Sequence, residues 1–276
     1  MLPYPFDRDY MQLALAAGVV VGASAPLIGT FLVQRRLSLL GDGIGHLAFA
    51  GVAFGLLVGI WPVWTALVVA VVAAVGMERL RSRGRASGDL ALALFFYSGI
   101  AAGVVLVGLS NSFNAGILTY LFGGILTVSR QDVLMVAALG VVIVVTVALF
   151  GRAMFAVVLD EESARVGGLP VDGLNSLLAA LAAVTVVAAM RVVVILLVAA
   201  LMVLPVATAQ LVARSFRSTL WMSAVIGATS AVIGLAAARI WGLAPGGTIV
   251  LVAAAAFGIT AGVSGRNHAR TGLVGH

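Results

Sequence analysis

The sequence contains no cysteine and no lysine. Without cysteine the chain can form neither a disulfide nor a thiolate metal site, so cysteine usage carries no information about the redox compartment. All 16 basic residues are arginine, whereas a phosphate-binding P-loop needs its lysine. If nucleotide hydrolysis powers the function of this protein, the ATPase must therefore be a separate polypeptide.

Charged residues are also scarce. They make up 9% of the 276 residues, and hydrophobic residues make up 62%, whereas soluble domains carry roughly a quarter charged residues. Apolar runs of about 20 residues recur along the whole length, and each can cross a hydrocarbon layer of roughly 30 Å as a helix. Because no period-two pattern of a β-barrel is visible, the spans must be helical. The composition predicts an all-α, multi-pass protein of the cell membrane.

The apolar runs predict a bundle of eight or nine transmembrane helices in one membrane domain, residues 11–264. Residues 117–127 are too short to span and carry two adjacent glycines, which favours a re-entrant or interfacial segment. The predicted spans are approximately 11–33, 37–60, 65–77, 90–109, 133–150, 175–190, 192–212, 220–238 and a last span that ends at 262.

The arginines lie in short clusters between the apolar runs and not along one exposed face. Positive-inside topology explains this arrangement, and the net charge of +6, better than a nucleic-acid partner does. The most basic loop, 78–89, marks the cytoplasm, and 151–172, 213–219 and the basic tail 265–276 are placed with it. Nine crossings then put residues 1–10 outside the cytoplasm, whereas eight crossings would put this N-terminal segment inside it.

Asp42 and His46 are the ionisable pair predicted to lie inside a span. The other nine of the ten acids fall in the N-terminal segment, in loops or at span ends, and the other two histidines lie in the tail. Positions i and i+4 share one face of a helix. A charge in the bilayer costs at least about 2.5–3.5 kcal/mol, which makes an intramembrane acid a functional candidate. Carboxylate and imidazole together suit a divalent metal, and two ligands alone hold it weakly.

Other interpretations of this pair remain open. Aspartate and histidine also relay protons. A local Asp–His hydrogen bond near the interface is the structural alternative, since Arg35 and Arg36 are about two turns away. If two copies of the chain pack about a two-fold axis, four ligands could converge there.

Three further polar residues are weaker candidates for lining a path. Thr208 and Gln210 follow Pro205 in a late span, where a hydroxyl can instead satisfy a backbone carbonyl freed by the proline. Arg191 lies between two predicted spans, where it either extends its charge to the outer interface or pairs inside the bundle. Glycines at four-residue spacing, such as Gly18 and Gly22, are interpreted as close helix packing.

Four stretches in order carry a resemblance to a known family. They are RRLSLLGDGIGHLAFAGVAFG, LDEESARVGGLPVDGLNSLL, RVVVILLVAALMVLPVATAQLVAR and LAPGGTIVLVAAAAFG. This set resembles the membrane subunits of ABC importers for zinc, manganese and iron, and the order and spacing match over about residues 11–262. That family often has Ser immediately before the His and Pro before the following Gly, where this chain has Gly45 and Ala50.

The resemblance implies that Asp42 and His46 line the translocation path and bind or gate the metal. It also implies that the loop at about 159–172 docks into a groove of the separate ATPase. The local sequence agrees, because three acids favour the start of a short helix and two glycines with a proline stop it. The implied coupling residues are Asp160, Glu161, Glu162, Ala164, Gly167 and Gly168.

The expected function is that of the permease subunit of an ATP-driven importer of zinc, manganese or iron, working by alternating access and without catalysis of its own. The implied partners are an ABC ATPase subunit, an extracytoplasmic metal-binding protein, a second copy in a homodimer, and membrane lipid. No permanently bound cofactor is expected, and zinc is narrowly ahead of manganese as the transported ion because imidazole suits it. A proton-coupled secondary metal carrier and a scaffold without transport are the alternatives.

Overall fold

The structure, a computed structural model, describes residues 4–84, 88–109, 128–190 and 197–271, with side chains up to residue 264. This part of the chain is built from helices, and no strand occurs in it. The helices are α1 (Asp9–Gln34), α2 (Leu40–Val58), α3 (Pro62–Ser82), α4 (Gly88–Leu109), α5 (Arg130–Leu159), α6 (Glu161–Val166), α7 (Val171–Ala189), α8 (Val198–Gln210), α9 (Phe216–Trp241) and α10 (Pro245–Thr271).

Eight of these helices are long and apolar enough to cross a membrane. They are α1, α2, α3, α4, α5, α7, α9 and the portion Pro245–Ser264 of α10. Helix α8 is apolar but has only 13 residues. The predicted all-α bundle of eight or nine transmembrane helices is confirmed. The segment 117–127 and Arg191 lie outside the described residues.

Helices α1 and α7 form the centre of the bundle. In the most apolar stretch of each helix, the buried share is 72% for α1 and 67% for α7, whereas it is only 17% for α4 and for α5. The outer helices present large apolar side chains outward, as Leu134 and Leu149 of α5 do. Lipid tails are as apolar as these side chains, so apolar burial alone does not hold such helices together and close packing must.

Small residues provide that packing. A Cβ added at Gly22 of α1 would lie 2.6 Å from the carbonyl oxygen of Gly227 of α9. At Gly29, an added Cβ would overlap the carbonyl oxygen of Met202 in α8. These contacts between backbones mean that α1 crosses α9 and α8 at positions where no side chain fits.

The prediction that the fifth span ends near residue 150 was wrong. Helix α5 continues to Leu159, and its last turns bury Met154 and Val157 against the bundle. The helix ends only at Asp160, whose φ of −155° and ψ of 105° are extended. Tertiary packing therefore keeps residues 151–159 helical, where their charged and polar neighbours in the sequence had indicated a loop.

Candidate functional site

Asp42 lies in the first turn of α2, and His46 follows one turn later. Both side chains are half-buried, and their i, i+4 spacing puts them on one face of the helix. The aromatic ring of Phe96 in α4 meets the imidazole of His46 edge-on, with 4.6 Å between ring centroids. A carboxylate and an imidazole are thus available on the side of α2 that faces α4.

A cleft of about 380 Å³ lies between α2 and α4. We call it the α2–α4 cleft; its lining residues are Leu39, Asp42, Asp89, Leu92, Ala93, Phe96 and Tyr97. Asp89 was predicted to lie in a loop, but it belongs to the first turn of α4 and faces this cleft. Among the described residues, no group of three or more His, Asp or Glu side chains could hold a metal ion. One copy of the chain therefore offers a two-ligand pair.

The weaker candidates Thr208 and Gln210 do not line the α2–α4 cleft. The hydroxyl of Thr208 is buried and donates to the carbonyl oxygen of Leu204 at 2.8 Å. Gln210 is exposed at the end of α8. The hydroxyl of Thr208 thus acts as a helix-internal donor, but the carbonyl that Pro205 frees is that of Leu201, so this bond is not the proline-related one that the sequence suggested.

The predicted short capped helix is confirmed as α6. The carboxylate of Asp160 accepts hydrogen bonds from the backbone N–H of Glu162 at 2.9 Å and of Ser163 at 3.0 Å. Hydrogen bonds from the Ser163 hydroxyl and backbone lower the pKa of this carboxyl below its ordinary value. The helix ends before Gly168, whose φ of +81° is in the left-handed region that favours glycine. Asp160 alone supplies the cap, because the side chain of Glu161 turns away from the start of α6 and toward the bundle.

Helix α6 has one buried and one exposed side. Ala164 is buried, and through this side chain the helix packs against the bundle. On the other side, Val166 is 88% exposed and Leu159, just before the helix, is 68% exposed. A short, capped helix that exposes apolar side chains at one end of the bundle is a surface suited to a protein partner.

Glu161 turns toward the bundle and joins a group that we call the charge cluster. Its members are Arg35, Glu78, Arg81, Glu161 and Asn175. Arg35, at the end of α1, pairs through Nη2 with Oε1 of Glu161 and donates through Nη1 to Oδ1 of Asn175 at 2.9 Å. The Nδ2 of Asn175 in turn donates to Oε1 of Glu161 at 2.8 Å. The end of α1, the start of α7 and α6 therefore meet at one end of the bundle.

Helix α3 supplies the other half of the charge cluster. Arg81 donates through Nε and Nη2 to the two carboxylate oxygens of Glu78, at 3.0 and 2.7 Å. The same Nη2 lies 3.3 Å from Oε1 of Glu161. The Glu78 side chain is only 4% exposed, and its Oε1 lies 3.9 Å from Nη2 of Arg35. Two arginines and two glutamates thus balance in charge; Arg35 and Glu78 are shielded from water, and Arg81 and Glu161 are partly exposed.

The electrostatics of Glu161 follow from these contacts. Burial acts to raise its pKa, but the hydrogen bond from Asn175 and the charges of Arg35 and Arg81 together hold that pKa below its ordinary value of 4.5. A carboxyl with a lowered pKa contributes stability above its ordinary pKa and loses it as the pH falls through the lowered value. Glu161 is consequently ionised and paired at neutral pH.

The prediction that the basic loop begins at residue 78 was wrong, because α3 continues to Ser82. Glu78 lies inside α3 and is buried, although the sequence had placed it at the start of a basic loop. Asp132 is likewise buried, in a capping box with Ser129 at the start of α5. The i, i+3 spacing of Glu78 and Arg81 was the one local signal of a helical ion pair. The contact between Arg81 and Glu161, 80 residues farther along the chain, had no local signal.

Comparison with known proteins decides the family. The model of the ABC 3 transport family matches residues 7–263. The chain belongs to the ABC 3 transport family. The family resemblance stated from the sequence is thereby confirmed. As an ABC 3 permease, this protein is a membrane transport component and not an enzyme, and it is a multi-pass protein of the plasma membrane.

Relatives of this ABC 3 permease match along most of their length. The manganese transport system membrane protein MntC of Halalkalibacterium halodurans is 31% identical over 262 residues, 94% of this chain and 90% of that protein. The manganese import system permease protein ScaB of Streptococcus parasanguinis is 32% identical over 248 residues, 90% of this chain and 88% of that protein. Among solved structures, PsaBC from Streptococcus pneumoniae in complex with Fab contains a similar chain. It has a TM-score of 0.82 and 32% identity, and the match covers 92% of this chain and 91% of that chain.

Proposed function

We propose that this ABC 3 permease is the membrane subunit of an ATP-driven importer of divalent metal ions. In this proposal manganese is the preferred transported ion. The observation that carries the proposal is the Asp42/His46 pair on one face of α2, with Asp42 lining the α2–α4 cleft. Carboxylate oxygen suits manganese and imidazole nitrogen suits zinc or iron. The two relatives described above are named manganese transport proteins, so we put manganese ahead of zinc.

The chemistry of the pair suits transport. An ionised carboxylate and a neutral imidazole bind the ion, and a protonated imidazole does not, so protons compete with metal at this site. Two ligands on one helix hold an ion weakly and allow its release. We propose a homodimer in which a second copy supplies another Asp42 and His46 across a two-fold axis. Four ligands would then hold the ion in one state and two in another.

The orientation in the membrane follows from the arginines. The charge cluster gathers the ends of α1 and α3 at one end of the bundle, and Arg36, Arg79 and Arg83 are exposed close by. We assign this end to the cytoplasm by the positive-inside rule. We count nine passes among the described helices, with α8 as the short one, and this count places residues 1–10 outside and the tail 265–276 inside. Residues 11–264 then form the permease domain.

The energy source in this proposal is a separate ABC ATPase, since a chain without lysine has no P-loop. Helix α6, within the coupling segment 159–172, is the docking element, and it is rigid because both of its ends are capped. Closure of the ATPase pushes α6 against the bundle, and the helices that carry the metal ligands change the side to which the cleft opens. An extracytoplasmic metal-binding protein delivers the ion to the other side.

The test is manganese uptake in proteoliposomes that contain the permease, its ATPase and the metal-binding protein. We expect uptake only with ATP, and none when the P-loop lysine of the ATPase is replaced. The matched control is the permease alone under an imposed proton gradient. Uptake by the permease alone would contradict the proposal and indicate a proton-coupled carrier. A complete complex that hydrolyses ATP but moves no manganese, zinc or iron would also contradict it.

A second prediction concerns the docking surface. We expect Val166→Asp to abolish co-purification of the permease with its ATPase, because it puts a charge on the most exposed apolar side chain of α6. The permease itself should keep its thermal stability in detergent, since this side chain is not buried. Val212→Asp is the control, because Val212 is also exposed and lies in the connection after α8. Equal loss of assembly in both variants would contradict a specific role of α6.

A further inference from the structure

We infer that the charge cluster is a positioning device that transmits movement of α6 to both walls of the α2–α4 cleft. This inference rests on the proposed function, since it concerns how the ATPase drives the metal site. It adds Arg35, Glu78, Arg81 and Asn175 to the coupling residues that the sequence indicated. The argument starts from Glu161, because Oε1 of this carboxylate contacts Arg35, Arg81 and Asn175 together.

The first arm runs through Arg35 to α2. Arg35 is the C-cap of α1, and only residues 36–39 separate it from the start of α2. Backbone hydrogen bonds stiffen this turn: the N–H of Leu37 donates to the carbonyl of Leu32 at 2.9 Å, and that of Leu40 to the carbonyl of Leu37 at 3.0 Å. Displacement of Arg35 is therefore passed to the N-terminus of α2, where Asp42 lies in the first turn.

The second arm runs through Arg81 to α4. Arg81 and Glu78 lie in the last turns of α3, and Gly88 begins α4. The first turns of α4 carry Asp89 and Leu92, which line the α2–α4 cleft opposite Asp42. The same carboxylate of α6 therefore contacts the helix that precedes each wall of the cleft.

The chemistry of the cluster suits a rigid link. Planar guanidinium groups bind carboxylates in a fixed, forked geometry, unlike the point charge of an ammonium group. Arg35 and Glu78 are 7% and 4% exposed, so salt screens their interaction much less than that of surface pairs. The side chain of Glu161 is 42% exposed, but its Oε1 contacts Arg35, Arg81 and Asn175 at once, so a push on α6 moves these three partners together.

A purely structural role of the cluster makes a different prediction. A structural contact, once removed, lowers folded yield, assembly with the ATPase, ATP hydrolysis and transport together. Loss of a positioning contact leaves an assembled, ATP-hydrolysing complex that moves less metal for each ATP. The number of manganese ions transported per ATP hydrolysed separates the two roles.

The experiment compares Arg35→Gln with Arg36→Gln in the complete transporter in proteoliposomes. The two variants make the same substitution at adjacent positions, but Arg36 is exposed and outside the cluster. We expect Arg35→Gln to lower manganese transported per ATP by about 10-fold, within the usual range of coupling between sites, while assembly and ATP hydrolysis persist. Arg36→Gln should keep the wild-type ratio.

Glu161→Gln is the second variant, and it decides the question if Arg35→Gln does not fold. It keeps an acceptor for Asn175 and removes only the charge, and we expect the same fall in manganese per ATP. A wild-type ratio in both cluster variants, or a parallel loss of assembly, hydrolysis and uptake in Glu161→Gln, would overturn the inference. Failure of the wild-type complex to move metal would instead overturn the proposed function, so the two failures are distinguishable.

Discussion

Asp42→Ala and His46→Ala are each expected to reduce ATP-driven manganese uptake on the order of 100-fold, since even outer partners of metal ligands account for about 10–100-fold. Each variant removes one of the two metal-binding side chains on the face of α2 that meets α4. Because both side chains are half-buried and neither belongs to the charge cluster, assembly with the ATPase and its hydrolysis should remain. Uptake in proteoliposomes at matched protein levels measures the effect.

The controls use the same residue types at positions outside residues 11–264 of the sequence. Asp7→Ala removes an exposed acid before α1, and His268→Ala removes a histidine of the tail; both should transport like wild type. Cells that lack the gene, complemented with each variant, show which of manganese, zinc and iron is restored. If Asp42→Ala and His46→Ala restore metal content as fully as wild type does, the pair is structural and its assignment as the metal site is wrong.

Gly29→Ala is expected to have the largest effect on stability. The added Cβ would overlap the carbonyl oxygen of Met202, which is backbone and cannot move without separating α1 from α8. Overpacking of this kind costs about 1–3 kcal/mol or more. We expect a fall in thermal unfolding temperature and loss of monodisperse protein in detergent.

Gly258→Ala is the matched control for this prediction. Gly258 lies in α10, and nothing lies within 4 Å of an added Cβ there. Both substitutions gain the same helix propensity, about 1 kcal/mol, so only the clash distinguishes them. The control should unfold at the wild-type temperature or slightly above it. Equal unfolding temperatures for the two variants would show that α1 and α8 are not as close as the structure places them.

Local features account for what could be predicted. Apolar runs predicted the spans because each helix must satisfy its own backbone in lipid. The pattern of acids before glycines predicted α6, because a cap needs only residues within three or four positions. The spacing of Asp42 and His46 predicted a shared helix face for the same reason. These are properties of short stretches of chain, and neighbours elsewhere in the bundle do not change them.

Residues whose role depends on distant partners were not predictable in this way. Glu78 follows an apolar run and precedes a basic stretch, so the sequence placed it in a loop. Its burial depends on Arg81 beside it and on Arg35 at the end of α1. Asp89 similarly became a cleft residue only because α4 packs on α2.

The sequence by itself determined a polytopic helical membrane protein, the capped helix α6, and an acid and an imidazole on one face of α2. Only the tertiary structure decided that α5 continues to Leu159, that α2 and α4 enclose a cleft at Asp42, and that Glu161 joins α1, α3 and α7. The physical reason is the distance along the sequence between the residues that interact. Helix formation and capping depend on neighbours within one turn, whereas the contacts of the Glu161 carboxylate depend on arginines that the fold brings from 80 to 126 residues away.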